Sequence, residues 1–156
     1  FIDKKNISSS QIRKDLKNGD IESANKSLND AFSISGNVVK GKGYGKTIGF
    51  PTANIEFDRA KIIPKKGVYL TEVLIEGEIK KGMCNIGTRP TVSDKNTDIT
   101  IEVHIFNLSR DIYGKNIQLK FLFFLRDEKK FKSIEMLKNQ LVADQNKCLE
   151  YCNNNV

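Results

Sequence analysis

Long apolar runs are missing from this chain of 156 residues, which excludes a segment built to cross a bilayer as a helix. The first residues, Phe1-Ile2-Asp3-Lys4-Lys5, lack the apolar stretch of a secretory signal. Cysteine is sparse. Cys84, Cys148 and Cys152 are odd in number and lack the spacing of a disulfide framework, so a reducing cytoplasm is the expected setting. Histidine is sparser. His104 stands alone, without partners at metal-ligand spacing, and reads as a surface or structural residue rather than a zinc ligand. Internal repeats are absent too. The chain opens on Phe1 rather than Met and is expected to be a segment of something longer.

What is abundant is lysine, and the formal charge is +7. A basic surface for nucleic acid is one reading of that charge. No Lys/Arg run exceeds two residues, however, and the lysines are scattered, so the charge reads as a compositional habit. Neither a nucleic-acid partner nor a membrane is expected.

The pattern along the chain changes twice. Ser9 or Ser10 can cap a short helix through Gln11–Lys17 that Asn18-Gly19 ends, and Asp20 can cap a second over Ile21–Leu28. This opening is small and polar, more like the end of a preceding unit than part of a core. Strand patterns follow at Phe32–Val39, Gly67–Ile75, Ile79–Ile86, Thr100–Phe106 and Ile117–Leu125, with a turn at Glu76-Gly77-Glu78. In the last strand, Ile117, Leu119, Phe121, Phe123 and Leu125 share one face. Short strands with no helices between them predict an antiparallel barrel or sandwich. Ser133 then caps a helix whose stripe Ile134, Leu137, Leu141, Cys148 and Tyr151 should lie on the barrel, with Cys148 and Cys152 as core filling. The tail from Asn153 to Val156 is expected to fray.

The densest chemical signal is Gly41-Lys42-Gly43-Tyr44-Gly45-Lys46-Thr47-Ile48-Gly49-Phe50-Pro51-Thr52-Ala53-Asn54. Glycines let a backbone approach a phosphate closely, although such a stretch can equally be a flexible turn. It is not a P-loop. Three residues separate Gly41 from Gly45 where four are needed, and Gly49 and Pro51 forbid the helix that should follow. It is not a dinucleotide fingerprint either, because Lys46 occupies the third glycine position. In extended backbone Thr52 and Asn54 point the same way, and their oxygens suit Mg²⁺ or simply satisfy a turn. In the later strand, Ile101, Val103 and Ile105 share a face and leave Glu102 and His104 on the other. That pattern by itself describes an ordinary solvated glutamate.

Gly49-Phe50-Pro51-Thr52-Ala53-Asn54 resembles the signature of the riboflavin kinases. Three further segments resemble the family in the same order: Gly82 to Thr91 (GMCNIGTRPT), Glu102-Val103-His104-Ile105 with Tyr113-Gly114, and Arg126-Asp127-Glu128-Lys129-Lys130-Phe131. The resemblance covers residues 36–144. It implies a mainly β fold, a small antiparallel Greek-key barrel with a C-terminal helix and short N-terminal helices. It implies ATP-dependent phosphorylation of riboflavin to FMN, with Mg²⁺ as cofactor. Glu102 matches the catalytic base. Thr52 and Asn54 match the metal–phosphate site. Gly41 and Lys46 match nucleotide-loop positions, with Lys46 where most bacterial members carry Arg. Arg126 and Phe131 are candidate flavin-side residues.

The segment Ile7-Ser8-Ser9-Ser10-Gln11-Ile12-Arg13 resembles the end of the nucleotidyltransferase domain of bifunctional FAD synthetases. Residues 1–31 are therefore expected to be the remnant of that domain and 32–156 the kinase domain, with FMN adenylylation belonging to sequence upstream. Two other classes compete. A nucleic-acid-binding barrel of the OB type would expose aromatics beside basic residues. Phe121, Phe123, Phe124 and Phe131 sit mostly in apolar context, which argues for core. A redox barrel that holds FMN without making it would leave Thr52, Asn54 and Glu102 without a role.

Overall fold

The computed structural model describes residues 9–40, 48–90 and 97–154. Six antiparallel strands close into a barrel: β1 Ser33–Val39, β2 Ala53–Phe57, β3 Gly67–Ile75, β4 Glu78–Pro90, β5 Thr97–Ile105 and β6 Asn116–Arg126. Their neighbour order is β1-β2-β5-β4-β3-β6. β3, β4 and β5 form a meander and β6 returns to lie beside β3, a Greek key. Glu76 and Gly77 join β3 to β4 with φ of 48° and 80°. Positive φ at both positions matches the twist of the flanking strands.

Alternation along the strands fills the barrel. Ile34, Tyr69, Val73, Ile86, Ile101 and Val103 are buried inside. The expected single face of β6 is broken. Ile117, Leu119 and Phe121 point inward as anticipated, but the pairing with β3 slips between Leu70 and Thr71 and again between Val68 and Tyr69. Each bulge inserts a residue and reverses the alternation. Phe123 therefore joins a second apolar cluster with Leu70 and Tyr151, while Phe124 packs edge-on against Tyr69.

The helix α2 (Ile21–Leu28) follows its Asp20 cap as expected, while α1 (Ser9–Lys17) already includes Ser9 and Ser10, the residues expected to cap it. The Asp20 carboxylate accepts from the Ser23 amide at 3.2 Å. Their polar composition hides a real contribution to packing: Leu16, Ile21 and Ala24 are fully buried in the same cluster as the barrel interior. Asn25 ties α2 to the sheet, donating to the Phe121 carbonyl and accepting from the Phe32 amide, both at 2.7 Å.

The C-terminal helix α3 spans Ile134–Asn154, capped by the Ser133 hydroxyl. It runs through Asn153 and Asn154, further than the polar tail predicts. Leu141, Cys148 and Tyr151 pack in the second apolar cluster and Leu137 is partly buried, but Ile134 is 67 % exposed, outside the stripe's contact with the barrel. The helix face includes Asp144, buried and gripped by Arg126 at 2.8–3.0 Å through two nitrogens. No helix among the described residues is long and apolar enough to cross a membrane.

Candidate functional site

The register of the barrel lines up residues that are far apart in sequence. Asn54 of β2 stands directly opposite Glu102 of β5, and Glu102 stands directly opposite Asn85 of β4. Their chain neighbours Ile55, Ile101, Val103, Cys84 and Ile86 are buried inside, so all three point to the outer face. Directly opposed residues keep their Cβ atoms about 4.5–5.5 Å apart. An amide, a carboxylate and a second amide thus form a row across three strands.

Thr52 continues the row's edge. It is exposed, immediately precedes β2, and lies two residues from Asn54 along extended chain. Gly49 makes the approach with φ of 84°, in a conformation that residues with a Cβ rarely adopt. Phe50 anchors it with its buried ring. The Pro51 carbonyl meets Nδ1 of His104 at 2.7 Å. His104 thus contacts the backbone of the segment that leads to Thr52. Among the described residues no group of three metal-ligating side chains is assembled from His, Cys, Asp and Glu. Hydroxyl and amide oxygens are hard donors, however, and Thr52 and Asn54 suit a cation such as Mg²⁺ that completes its shell with water and phosphate.

One member of the row and one of its neighbours have no role assigned from the sequence. The side-chain oxygen of Asn85 is buried and has no hydrogen-bond partner. Such a group costs about 1–3 kcal/mol unless something completes it. The carboxylate of Glu128 lies over Gly87, where an added Cβ would sit 2.4 Å from its Oε1. Gly87 pairs with Thr100, one step along the same outer face from Asn85 and Glu102. The signal for both was present in the segments quoted above, but neither periodicity nor spacing singles them out. Glu102 is felt through the wall. Burial first, and the Glu102 charge second, hold the Cys84 thiol far above its usual range.

Arg126 and Phe131 are brought together. The guanidinium lies 5.9 Å from the Phe131 ring centroid while its nitrogens hold Asp144. Gly41 and Lys46 fall outside the described residues. Cys148 is fully buried and Cys152 packs beside it in the second cluster, as core filling requires.

A family model described as riboflavin kinase matches residues 28–152. A Bacillus subtilis bifunctional riboflavin kinase/FMN adenylyltransferase is 40% identical over 96% of this chain and 48% of the relative. The Escherichia coli K12 protein of the same description is 42% identical over 89% of this chain and 44% of its own length. The chain thus spans about half the length of the curated relatives it matches. Among solved structures, a Streptococcus pneumoniae protein described as a macrolide-efflux protein superposes with TM-score 0.84 at 35% identity, over 90% of this chain and 45% of that one. Trypanosoma brucei riboflavin kinase shares the fold, with TM-score 0.56 at 21% identity over 79% of this chain and 80% of that one.

Proposed function

The chain belongs to the riboflavin kinase family, and from that premise we propose that it transfers the γ-phosphoryl group of ATP to the ribityl 5′-hydroxyl of riboflavin, giving FMN and ADP. The observation that carries the reading is the placement of Asn54 opposite Glu102, with Thr52 immediately before the strand that carries Asn54.

A primary hydroxyl is a weak nucleophile while it keeps its proton. Glu102 accepts that proton as the oxygen–phosphorus bond forms, which is the assistance phosphoryl transfer to an alcohol requires. The oxygens of Thr52 and Asn54 would hold Mg²⁺ beside the ATP phosphates. A cation held there would supply positive charge to offset the negative charge that builds during phosphoryl transfer. Gly41 and Lys46 are assigned to the nucleotide phosphates, and Arg126 and Phe131 to the flavin side, by resemblance. The family match begins at residue 28, at the end of α2, and favours placing the kinase unit from there onward. None of the described residues is assigned to FMN adenylylation, the second activity in the relatives' names. We place the activity in the cytoplasm, where ATP is made available and the three free thiols stay reduced.

The test is direct. The purified chain, with riboflavin, ATP and Mg²⁺, is expected to form FMN, and to form none when the cation is chelated. A folded sample that binds riboflavin but makes no FMN under these conditions removes the kinase reading.

A further inference from the structure

Among the described residues, β2 and β5 are joined by two residue pairs, Ala53–Val103 and Asn54–Glu102. The ladder does not reach Pro51, which has no N–H to give. Thr52 therefore stands beyond the last pair, exposed, at the point where the proposed metal–phosphate site needs it fixed.

A side chain acts where the ladder stops. His104 Nδ1 lies 2.7 Å from the Pro51 carbonyl oxygen. A carbonyl only accepts, so Nδ1 carries the hydrogen and donates. The ring has little freedom to turn away. It meets the edge of Phe50 at 5.1 Å and 62°, and that of Phe106 at 5.7 Å and 67°. Both phenylalanines are buried in the second apolar cluster. Along β5, His104 follows Glu102 by one strand repeat on the same outer face. The strand that presents the base therefore also holds the segment carrying Thr52.

We propose that His104 is a positioning residue for phosphoryl transfer: its Nδ1–H bond to Pro51 extends the β2–β5 pairing past the proline and fixes Thr52 beside Asn54 and Glu102. The proposal rests on the kinase reading for its kinetic consequence, but not for its structural one. His104 touches neither substrate nor metal in this role. The competing explanation is that the imidazole only fills space between Phe50 and Phe106.

Three variants separate these explanations. H104F keeps a ring and loses the donor. H104N keeps a donor near the Nδ1 position and loses the ring. H104L matches the shape of H104N without the donor. In the ligand-free chain, amide hydrogen exchange at Thr52 to Asn54 should rise about tenfold in H104F and H104L and return toward the parent in H104N, as the loss of one hydrogen bond implies. In steady-state assays the KM for Mg–ATP should rise about tenfold in H104F and H104L, with the KM for riboflavin little changed, and H104N should recover most of the loss. Parental exchange and parental KM for Mg–ATP in H104F overturn the proposal. So does equal impairment of H104N and H104L, which remains decisive if H104F does not fold. An inactive parent chain removes the kinase reading instead, and the exchange experiment still decides what His104 holds.

Discussion

Asn54 and Glu102 face each other across the two-pair ladder that joins β2 to β5, so the amide and the carboxylate share one patch of the barrel's outer wall. Thr52 stands immediately before β2. If Thr52 and Asn54 serve one cation, their losses should not multiply. Thr52→Ala and Asn54→Ala are each expected to lower kcat/KM by about tenfold or more. The double variant should fall short of the product by a coupling of about 0.5–3 kcal/mol. Titrating Mg²⁺ with each variant checks this. Near-parental kinetics with unchanged cation dependence in both single variants would reduce the pair to a turn.

Arg126 and Asp144 form the most enclosed ion pair among the described residues, with side chains 14% and 3% exposed. Gln140 also donates to Asp144 at 2.9 Å. Removing one partner leaves the other charge enclosed and uncompensated. Asp144→Ala is expected to lower unfolding stability by about 3 kcal/mol or more, measured by urea titration. The loss would detach α3 from the end of β6 before it disturbed the row around Glu102. A cost below about 1 kcal/mol would mean that water already reaches the pair.

The Cys148 thiol is pushed up to about 12, by burial first and then by nearby Cys152 and Asp144, with Lys147 opposing. In the unfolded chain this thiol ionises at an ordinary value, so the folded state holds its proton more tightly. The resulting stabilisation is fully present below the ordinary thiol range and disappears as pH rises through the folded value. Stability should therefore fall above about pH 9, and Cys148→Ala should make that fall shallower. At neutral pH an alkylating reagent should modify the half-exposed Cys152 well before Cys148 or Cys84. Rapid labelling of Cys148 in the folded chain would contradict its burial.

Five of the six strands were legible because their residues alternate or carry turn chemistry, but β2 (Ala53–Phe57), which carries Asn54, was not singled out as a strand. Glu76-Gly77 announces its hairpin, and Asp20 and Ser133 announce their helices. The reversal at Phe123 and Phe124 was not legible. A bulge is set by how β3 and β6 slide past each other, and neither strand encodes that by itself. Ile134 fits the helical stripe, yet it is exposed, because the stripe does not record how far the helix's contact with the barrel extends. The site divides the same way. Residue spacing alone leaves Glu102 an ordinary surface carboxylate, and it was the resemblance that drew it out. Its alignment with Asn54 and Asn85 comes from register across three strands, which no local pattern contains. The roles of α1 and α2 were undervalued because three buried residues, Leu16, Ile21 and Ala24, are diluted among polar ones.

The central claim is that Glu102 takes the proton of the ribityl hydroxyl. Glu102→Gln keeps the side chain's size and its place opposite Asn54 and Asn85, and removes the basic oxygen. The direct measurement is single-turnover FMN formation with riboflavin and Mg–ATP both saturating. The account predicts a chemical step slowed by about a hundred- to ten-thousandfold, with both affinities little altered, because the loss falls on the transition state. A chemical step within about threefold of the parent rate would contradict it, because general-base assistance is worth far more than that.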